Sequence, residues 1–343
     1  MNAYIVAPEG RPLAAALLSV ERLEAALSFW RDCVGFAPVG EPRALDARWN
    51  ALWGMPPHAA GRMALLQACD LPVGRLLLVE WDVHGRQRIR ATEDTLAFGL
   101  QNVNCYVPDA AAAVAVLVAA GGRPWTAPTS HAFGAAVGVP IEVVLEVRDG
   151  VALNLVELTS RDPQTRIGQM RAYVERIGHT RTGFSPIVTT SHVVRSIDAA
   201  IAFHRDVLRM EVLFDDCLSS DAANAFLRLP PGSRTRVTFL QGAHMYGKIA
   251  LSEPLNYACA ELAPRAHAPN LGYLAQVYEV EDLAAARAAC AKHGVAEERV
   301  AAAVDLAGFG ERAAAVVCTP FSGAPMLLLA PGQRDQASRS GSR

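Results

Sequence analysis

LSVERLEAALSFWRDCVGF (residues 18–36) returns as HVVRSIDAAIAFHRDVLRM (residues 192–210), 174 positions further along the chain. In both copies a short apolar strand ends at Val20 or Val194 and runs directly into an amphipathic helix. Leu23, Leu27 and Trp30 fall at i, i+4 and i+7, as do Ile197, Ile201 and His204, so each helix has one stripe to bury. Phe29-Xaa-Arg31-Asp32 and Phe203-Xaa-Arg205-Asp206 then match residue for residue, which two unrelated amphipathic helices would not do. The chain reads as a duplication at half its length.

Working outward, each half divides again. In the first, the helix is followed by strands expected at residues 36–39, 62–67 and 75–81, a β-α-β-β-β order. A second unit has a strand over 101–107, an Ala/Val helix over 109–120 ended by Gly121-Gly122, and strands 141–147 and 151–158. Asp149-Gly150 between these last two is a hairpin signal, because both residues tolerate positive φ. The other half repeats the plan with strands at 187–193, 211–214, 236–241 and 248–252 around a helix over 197–208. A fourth unit follows, with strand 273–280, helix 283–292 and strands 313–318 and 325–329. Residues 159–185 are more polar and read as a linker packed on the surface, with a helix over 167–177; residues 332–343 read as a disordered tail.

Bulk properties agree with this division. A chain of 343 residues suits two domains of roughly 100 to 200 residues each, expected at 1–160 and 185–331 with a linker at 161–184. Apolar residues make up 51% and charged residues 19%, the composition of a packed protein. Net charge is -2 with both signs dispersed, so nucleic acid is not an expected partner. Apolar runs stop short of the ~18 to 20 residues that span a bilayer, and the N-terminus lacks a cationic leader, so no membrane association and a cytoplasmic location are expected. Seven cysteines without any Cys-x-x-Cys read as reduced thiols, most of them buried.

Four β-α-β-β-β units opening on Val20-Glu21-Arg22-Leu23 and residues 29–36 (FWRDCVGF) resemble the vicinal oxygen chelate superfamily, which includes glyoxalase I, extradiol dioxygenases, epimerases and bleomycin-binding proteins. The resemblance implies an α+β fold in which four βαβββ modules pair into two cup-shaped mixed-sheet domains, taken here as one per half. It also implies a divalent metal held by His, Gln or Glu from the first strand of a module and Glu from its last. The repeat locates those positions by counting: Ala15, Asn102, Thr189 and Ala275 on the first strands, and Leu77, Asn154, Ala250 and Leu327 on the last. None is His, Asp or Glu, so no metal and no cofactor are expected.

Candidate functional residues follow from that reading. Asn102 and Asn154 fall at two ligand positions of one cup, where neutral amides would orient a polar group of a substrate. Trp53 and Phe133 give the same half a concentration of flat apolar surface. Acid/base candidates are His131 and His58, in loop segments expected to fold over cups, and Glu80 beside Trp81. Glu80, Glu157 and Glu253 each stand three positions past a ligand position, a strand parity that points them away from the cup. The expected function is metal-independent proton transfer, an isomerase or lyase acting on a hydrophobic, aromatic or polyketide-like small molecule. The alternatives are a sequestering binder and a metal-dependent dioxygenase with ligands at unusual positions. The chain is expected to act as a monomer or homodimer.

Overall fold

The computed structural model describes residues 5–91, 96–130, 132, 137–295 and 298–332. The first module comprises β1 (Ala15–Ser19), α1 (Leu23–Phe29), the two-residue strands β2 (Ala37–Pro38) and β3 (Arg43–Ala44), α2 (Ala47–Leu52), β4 (Gly61–Gln67) and β5 (Arg75–Trp81). The second has β6 (Ala97–Val107), α3 (Ala110–Ala119), β7 (Arg123–Pro124), β8 (Thr129–Ser130), β9 (Ile141–Glu146) and β10 (Ala152–Glu157). After α4 (Arg166–Ile177), the third has β11 (Thr189–Val193), α5 (Ile197–Leu208), β12 (Glu211–Leu218), α6 (Asp221–Phe226), β13 (Thr235–Gln241) and β14 (Lys248–Pro254). Beyond β15 (Ala260–Glu261), the fourth has β16 (Gly272–Glu279), α7 (Leu283–Lys292), β17 (Glu298–Leu306), β18 (Gly310–Cys318) and β19 (Pro325–Leu329). The α+β class and the four modules are as the sequence predicts. The turn between β9 and β10 has both Asp149 (φ 59°) and Gly150 (φ 75°) in the left-handed region, as the Asp-Gly signal requires.

The modules do not pair within their halves. One sheet runs β17-β18-β19-β16-β1-β5-β4-β2 and the other β12-β13-β14-β11-β6-β10-β9-β7, so the first module joins the fourth and the second joins the third. Both junctions are antiparallel and share one irregularity: the ladder skips Gln101 where β6 meets β11, and Leu274 where β16 meets β1. The ranges 1–160 and 185–331 therefore mark the two copies of the repeat, and each sheet draws one module from each copy. The physical reason is that every module presents the same free edge, its first strand, and periodicity alone does not say which edges meet.

A recurrent carboxylate fixes how helices enter. Glu80 accepts from Leu23 N at 2.8 Å, Glu157 from Ala110 N at 2.9 Å and Glu253 from Ile197 N at 2.9 Å. Each satisfies an orphan amide at the first residue of its module's helix and places negative charge at the positive end of the helix dipole. Their strand parity, read from sequence as pointing out of the cup, has this purpose. Asp109, Ser196 and Asp282 complete the caps by accepting from the amide three residues on.

The two barrels are filled differently. Ala15, Leu77, Ala275 and Leu327 are all buried in the core formed by the first and fourth modules, together with Trp49, Trp53 and Trp81. Trp49 and Trp81 stack at 6.5 Å, and Trp53 meets them at 5.6 and 6.4 Å. This interior is lined with buried aromatic surface, and the Nε1 of all three indoles is buried without a hydrogen-bond partner among the described residues. Trp81→Ala is expected to cost ~3 to 5 kcal/mol in denaturant unfolding; a loss below ~1 kcal/mol would contradict a tightly filled barrel.

No disulfide joins the seven cysteines; Cys105 and Cys290 are buried and Cys217 is exposed, fewer buried than expected. His192 and His204 are fully buried between β11 and α5. His192 Nε2 meets Ser322 Oγ at 2.6 Å, and His204 Nδ1 lies 2.7 Å from the Ala200 carbonyl, to which it donates. Burial, helped by the neighbouring His204, draws His192 down to about 3; burial draws His204 to about 4. Both are neutral in the fold and would gain protons more readily unfolded, where His titrates near 6.5. Their contribution to stability is complete above that pH and lost as pH falls toward 4. His204→Phe, which restores the aromatic found at the equivalent Trp30, should flatten this acid limb in pH-dependent urea unfolding; an unchanged limb would contradict it.

Candidate functional site

Where β6 and β11 meet, the second and third modules curl around an open cleft with about 1350 Å³ of empty space, its mouth included. Alternate residues of each strand face it, following the two-residue period of a pleated sheet. From β6 come Asn102, Asn104 and Tyr106, from β10 Asn154 and Val156, from β11 Thr189 and Ser191, and from β14 Lys248, Ala250 and Ser252. Asn102, Asn154, Thr189 and Ala250 are the four positions counted from the repeat for these two modules. All four line this one cleft.

The linker is a wall of it. Helix α4 begins after Thr165, whose hydroxyl accepts from Gly168 N at 3.1 Å, and buries Ile167, Tyr173 and Val174. Its first turns present Arg166, Gln169 and Met170 to the cleft. The expectation of a linker lying on the surface is corrected: its apolar stripe covers the cup because the cup's own apolar residues Val156, Val188 and Val237 need covering. On the far side, Phe214 and Phe239 stack at 4.5 Å with 20° between planes, and Phe226 and Trp125 extend the aromatic lining.

Two ionisable residues that the sequence reading did not single out stand in this apolar setting. Glu142, the second residue of β9, is buried and accepts from Asn154 Nδ2 at 3.1 Å. Burial pushes its carboxyl up to about 7, against the opposing pull of the Asn154 hydrogen bond. Lys248 is 1% exposed, and its Nζ donates to the Met245 carbonyl. Burial draws it down to about 7. No ion pair joins Glu142 to Lys248 or to any other described residue. They stand four strand steps apart around the curl, β9-β10-β6-β11-β14, with Tyr106 between them. The Tyr106 ring centroid is 5.8 Å from Lys248 Nζ, its hydroxyl is 2.8 Å from Met170 Sδ, and burial together with the Glu142 carboxylate raises its pKa.

The amides add hydrogen-bonding capacity. Asn102 Nδ2 donates to Asn104 Oδ1, and Asn154 Oδ1 and Gln169 Oε1 are buried without a partner among the described residues. A buried acceptor left unpaired costs ~1 to 3 kcal/mol, so these two oxygens are free to receive donors from a bound molecule.

Other sequence candidates fall elsewhere. Trp53 is in the filled barrel, and Glu80 is engaged at the start of α1 and with Arg62 at 3.3 Å. His58 is exposed on the turn after α2. All three belong to the first module, which the cross-half pairing carries away from the cleft. His131 and Phe133 lie outside the described residues. A signal for Glu142 was present: it and Val144 occupy one face of an otherwise apolar strand. The signal for Lys248 is compositional, since the chain has only two lysines, Lys248 and Lys292, among 32 basic residues.

The same architecture is found in solved proteins. Glyoxalase I from Zea mays superposes with a TM-score of 0.59 at 15% identity, over 96% of this chain and 95% of that one. A putative dioxygenase from Bacillus subtilis does so with a TM-score of 0.54 at 11% identity, over 95% and 87%. A profile of the Glyoxalase/Bleomycin resistance protein/Dioxygenase superfamily matches residues 13–155. Residues 13–155 thus match that superfamily's profile, and the chain as a whole has its fold. No curated protein matches it by sequence. The metal that this superfamily's fold implies does not suit the donors in the cleft. Asn102, Asn154, Thr189 and Ala250 supply at most neutral oxygens, and no three His, Cys, Asp or Glu converge among the described residues.

Glu142 and Lys248 both resist burial in their charged forms, which has a measurable consequence for stability. Free Glu titrates near 4.5 and free Lys near 10.5. The cost of Glu142 to folding grows as pH rises from 4.5 to 7, and that of Lys248 as pH falls from 10.5 to 7. At pH 7, Glu142→Gln and Lys248→Met should each stabilise the fold by on the order of 1 to 3 kcal/mol. The gain should vanish toward pH 4.5 for the first and toward pH 10.5 for the second. Destabilisation, or a gain independent of pH, would contradict the burial argument.

Proposed function

We propose that the chain is a metal-independent enzyme of proton transfer, an isomerase or lyase, acting on a hydrophobic, aromatic or polyketide-like molecule held in the cleft of the second and third modules. The observation that carries this reading is Glu142: a carboxyl group inside an apolar cleft, titrating near neutrality and oriented by Asn154. A base is most effective when its pKa is near the working pH, and acid/base catalysis of this kind contributes ~10²- to 10⁴-fold.

In this reading Glu142 removes a proton from carbon adjacent to a substrate carbonyl and returns it, now as the acid, at a second atom. Asn154 keeps one carboxylate oxygen in place through Nδ2 and offers Oδ1 to a substrate hydroxyl. Lys248, at the other side of the curl, faces the carbonyl end of the bound molecule. The stacked Phe214 and Phe239 and the α4 residues Ile167 and Met170 provide flat apolar walls and exclude water. No step requires a metal.

Solvent deuterium exchange tests this. Aryl ketones such as 2-acetylnaphthalene, incubated with the protein in D2O, should gain deuterium beside the carbonyl in the presence of EDTA. Glu142→Gln should lower that rate at least 100-fold while calorimetry still detects binding. Tight binding with no exchange by the parent protein would favour sequestration instead. Exchange abolished by EDTA and restored by Fe(II), Mn(II) or Zn(II) would overturn metal independence.

A further inference from the structure

Lysine is almost absent from this chain. Of 32 basic residues only Lys248 and Lys292 are lysines, so arginine has nearly every role that surface charge and ion pairing assign to a cation. Lys292 is exposed at the end of α7. Lys248 is buried on the floor of the cleft, without a carboxylate partner among the described residues. An arginine there would stay charged at any accessible pH, whereas an amine can lose its proton.

The surroundings of Nζ favour the neutral form. An ammonium group has three donors to satisfy, and among the described residues this one bonds to the Met245 carbonyl alone. The Tyr106 ring centroid, 5.8 Å away, gives only a long cation–π contact, a weak pull toward the charged form that supplies no second hydrogen-bond acceptor. A neutral amine so placed keeps its lone pair for the cleft. Burial supports the same state by drawing the group toward about 7. Directly across the parallel ladder stands Thr189, on the same face, with Ser191 two residues on; both offer hydroxyls to a polar atom held beside the amine.

We propose that Lys248 is a nucleophile that captures a carbonyl ligand of the cleft as an imine. Its nitrogen forms a bond to the carbonyl carbon as the C=O π pair moves to oxygen, and the amine proton passes to that oxygen to give a carbinolamine. Nitrogen then forms the second C–N bond as the hydroxyl leaves with a proton as water. No oxidant or reductant is consumed. Capture of this kind selects aldehydes and unhindered ketones bearing a flat apolar group. Once the imine nitrogen takes up a proton, the resulting iminium withdraws electrons from the adjacent carbon, which would ease the proton removal assigned to Glu142.

The inference rests on the cleft being the substrate site, though not on Glu142 being its base. The test is reductive trapping on the full chain, with 2-naphthaldehyde and sodium cyanoborohydride at pH 7.5, followed by peptide mapping. Lys248 should be modified at least tenfold faster than Lys292 in the same sample, a comparison that needs no variant. Lys248→Arg and Lys248→Met, checked for folding by circular dichroism, should lose that adduct. Modification of Lys292 with Lys248 left intact, or an unchanged adduct in the folded Lys248→Arg variant, would overturn the proposal. If trapping fails while Glu142-dependent exchange persists, imine capture falls and proton transfer stands; trapping without exchange separates them the other way.

Discussion

The antiparallel seam between β6 and β11 is the constraint on which the site depends. Asn104 faces Thr189 and Asn102 faces Ser191 across it, and the skipped Gln101 restores the pleat beyond them. This pairing brings a module from each half of the repeat around one cleft, and it sets Glu142 and Lys248 on opposite arms of a single curved sheet. Had the strands paired one residue out of register, the amides would face the helix layer and Val103 and Cys105 would face the cleft. The equivalent seam between β1 and β16 has the same geometry but a different interior.

That difference is a matter of side-chain volume at matched positions. In the barrel of the first and fourth modules, the four positions where the superfamily's metal ligands are expected are Ala or Leu, and three tryptophans occupy the space between them. In the other barrel they are Asn, Asn, Thr and Ala, and the space is open. One barrel supplies stability through buried aromatic area. Both bury unpaired polar atoms, three indole nitrogens in the first and two amide oxygens in the other, but only the other also buries a carboxyl and an amine. Uneven distribution of this kind is common where a site is built on a scaffold with stability in reserve.

Much of this was legible before the structure. The periodicity placed the module helices and principal strands, and counting from Val107 and Val194 put Asn102, Asn154, Thr189 and Ala250 on one face each. What the sequence could not convey was which first-strand edges meet, because all four are built alike and local propensity is indifferent to the partner. That single ambiguity moved Trp53, His58 and Glu80 out of the site. Glu142 went unnoticed because the counting addressed first and last strands, and β9 is neither. Lys248 opens its strand, where a charged residue ordinarily marks an exposed edge, and only the scarcity of lysine sets it apart. The short helices α2 and α6 and strand β17 lack any strong repeat signal and depend on tertiary packing.

The account's central claim is that the cleft between the second and third modules binds a carbonyl compound without a metal. A crystal structure of the protein grown with 2-acetylnaphthalene and equimolar Zn(II) tests it most directly. The ligand should lie between Phe239 and Met170 with its carbonyl end toward Lys248, and no anomalous zinc signal should fall within the cleft. Zinc coordinated by Asn102 and Asn154, or a ligand seated anywhere outside this cleft, would contradict it.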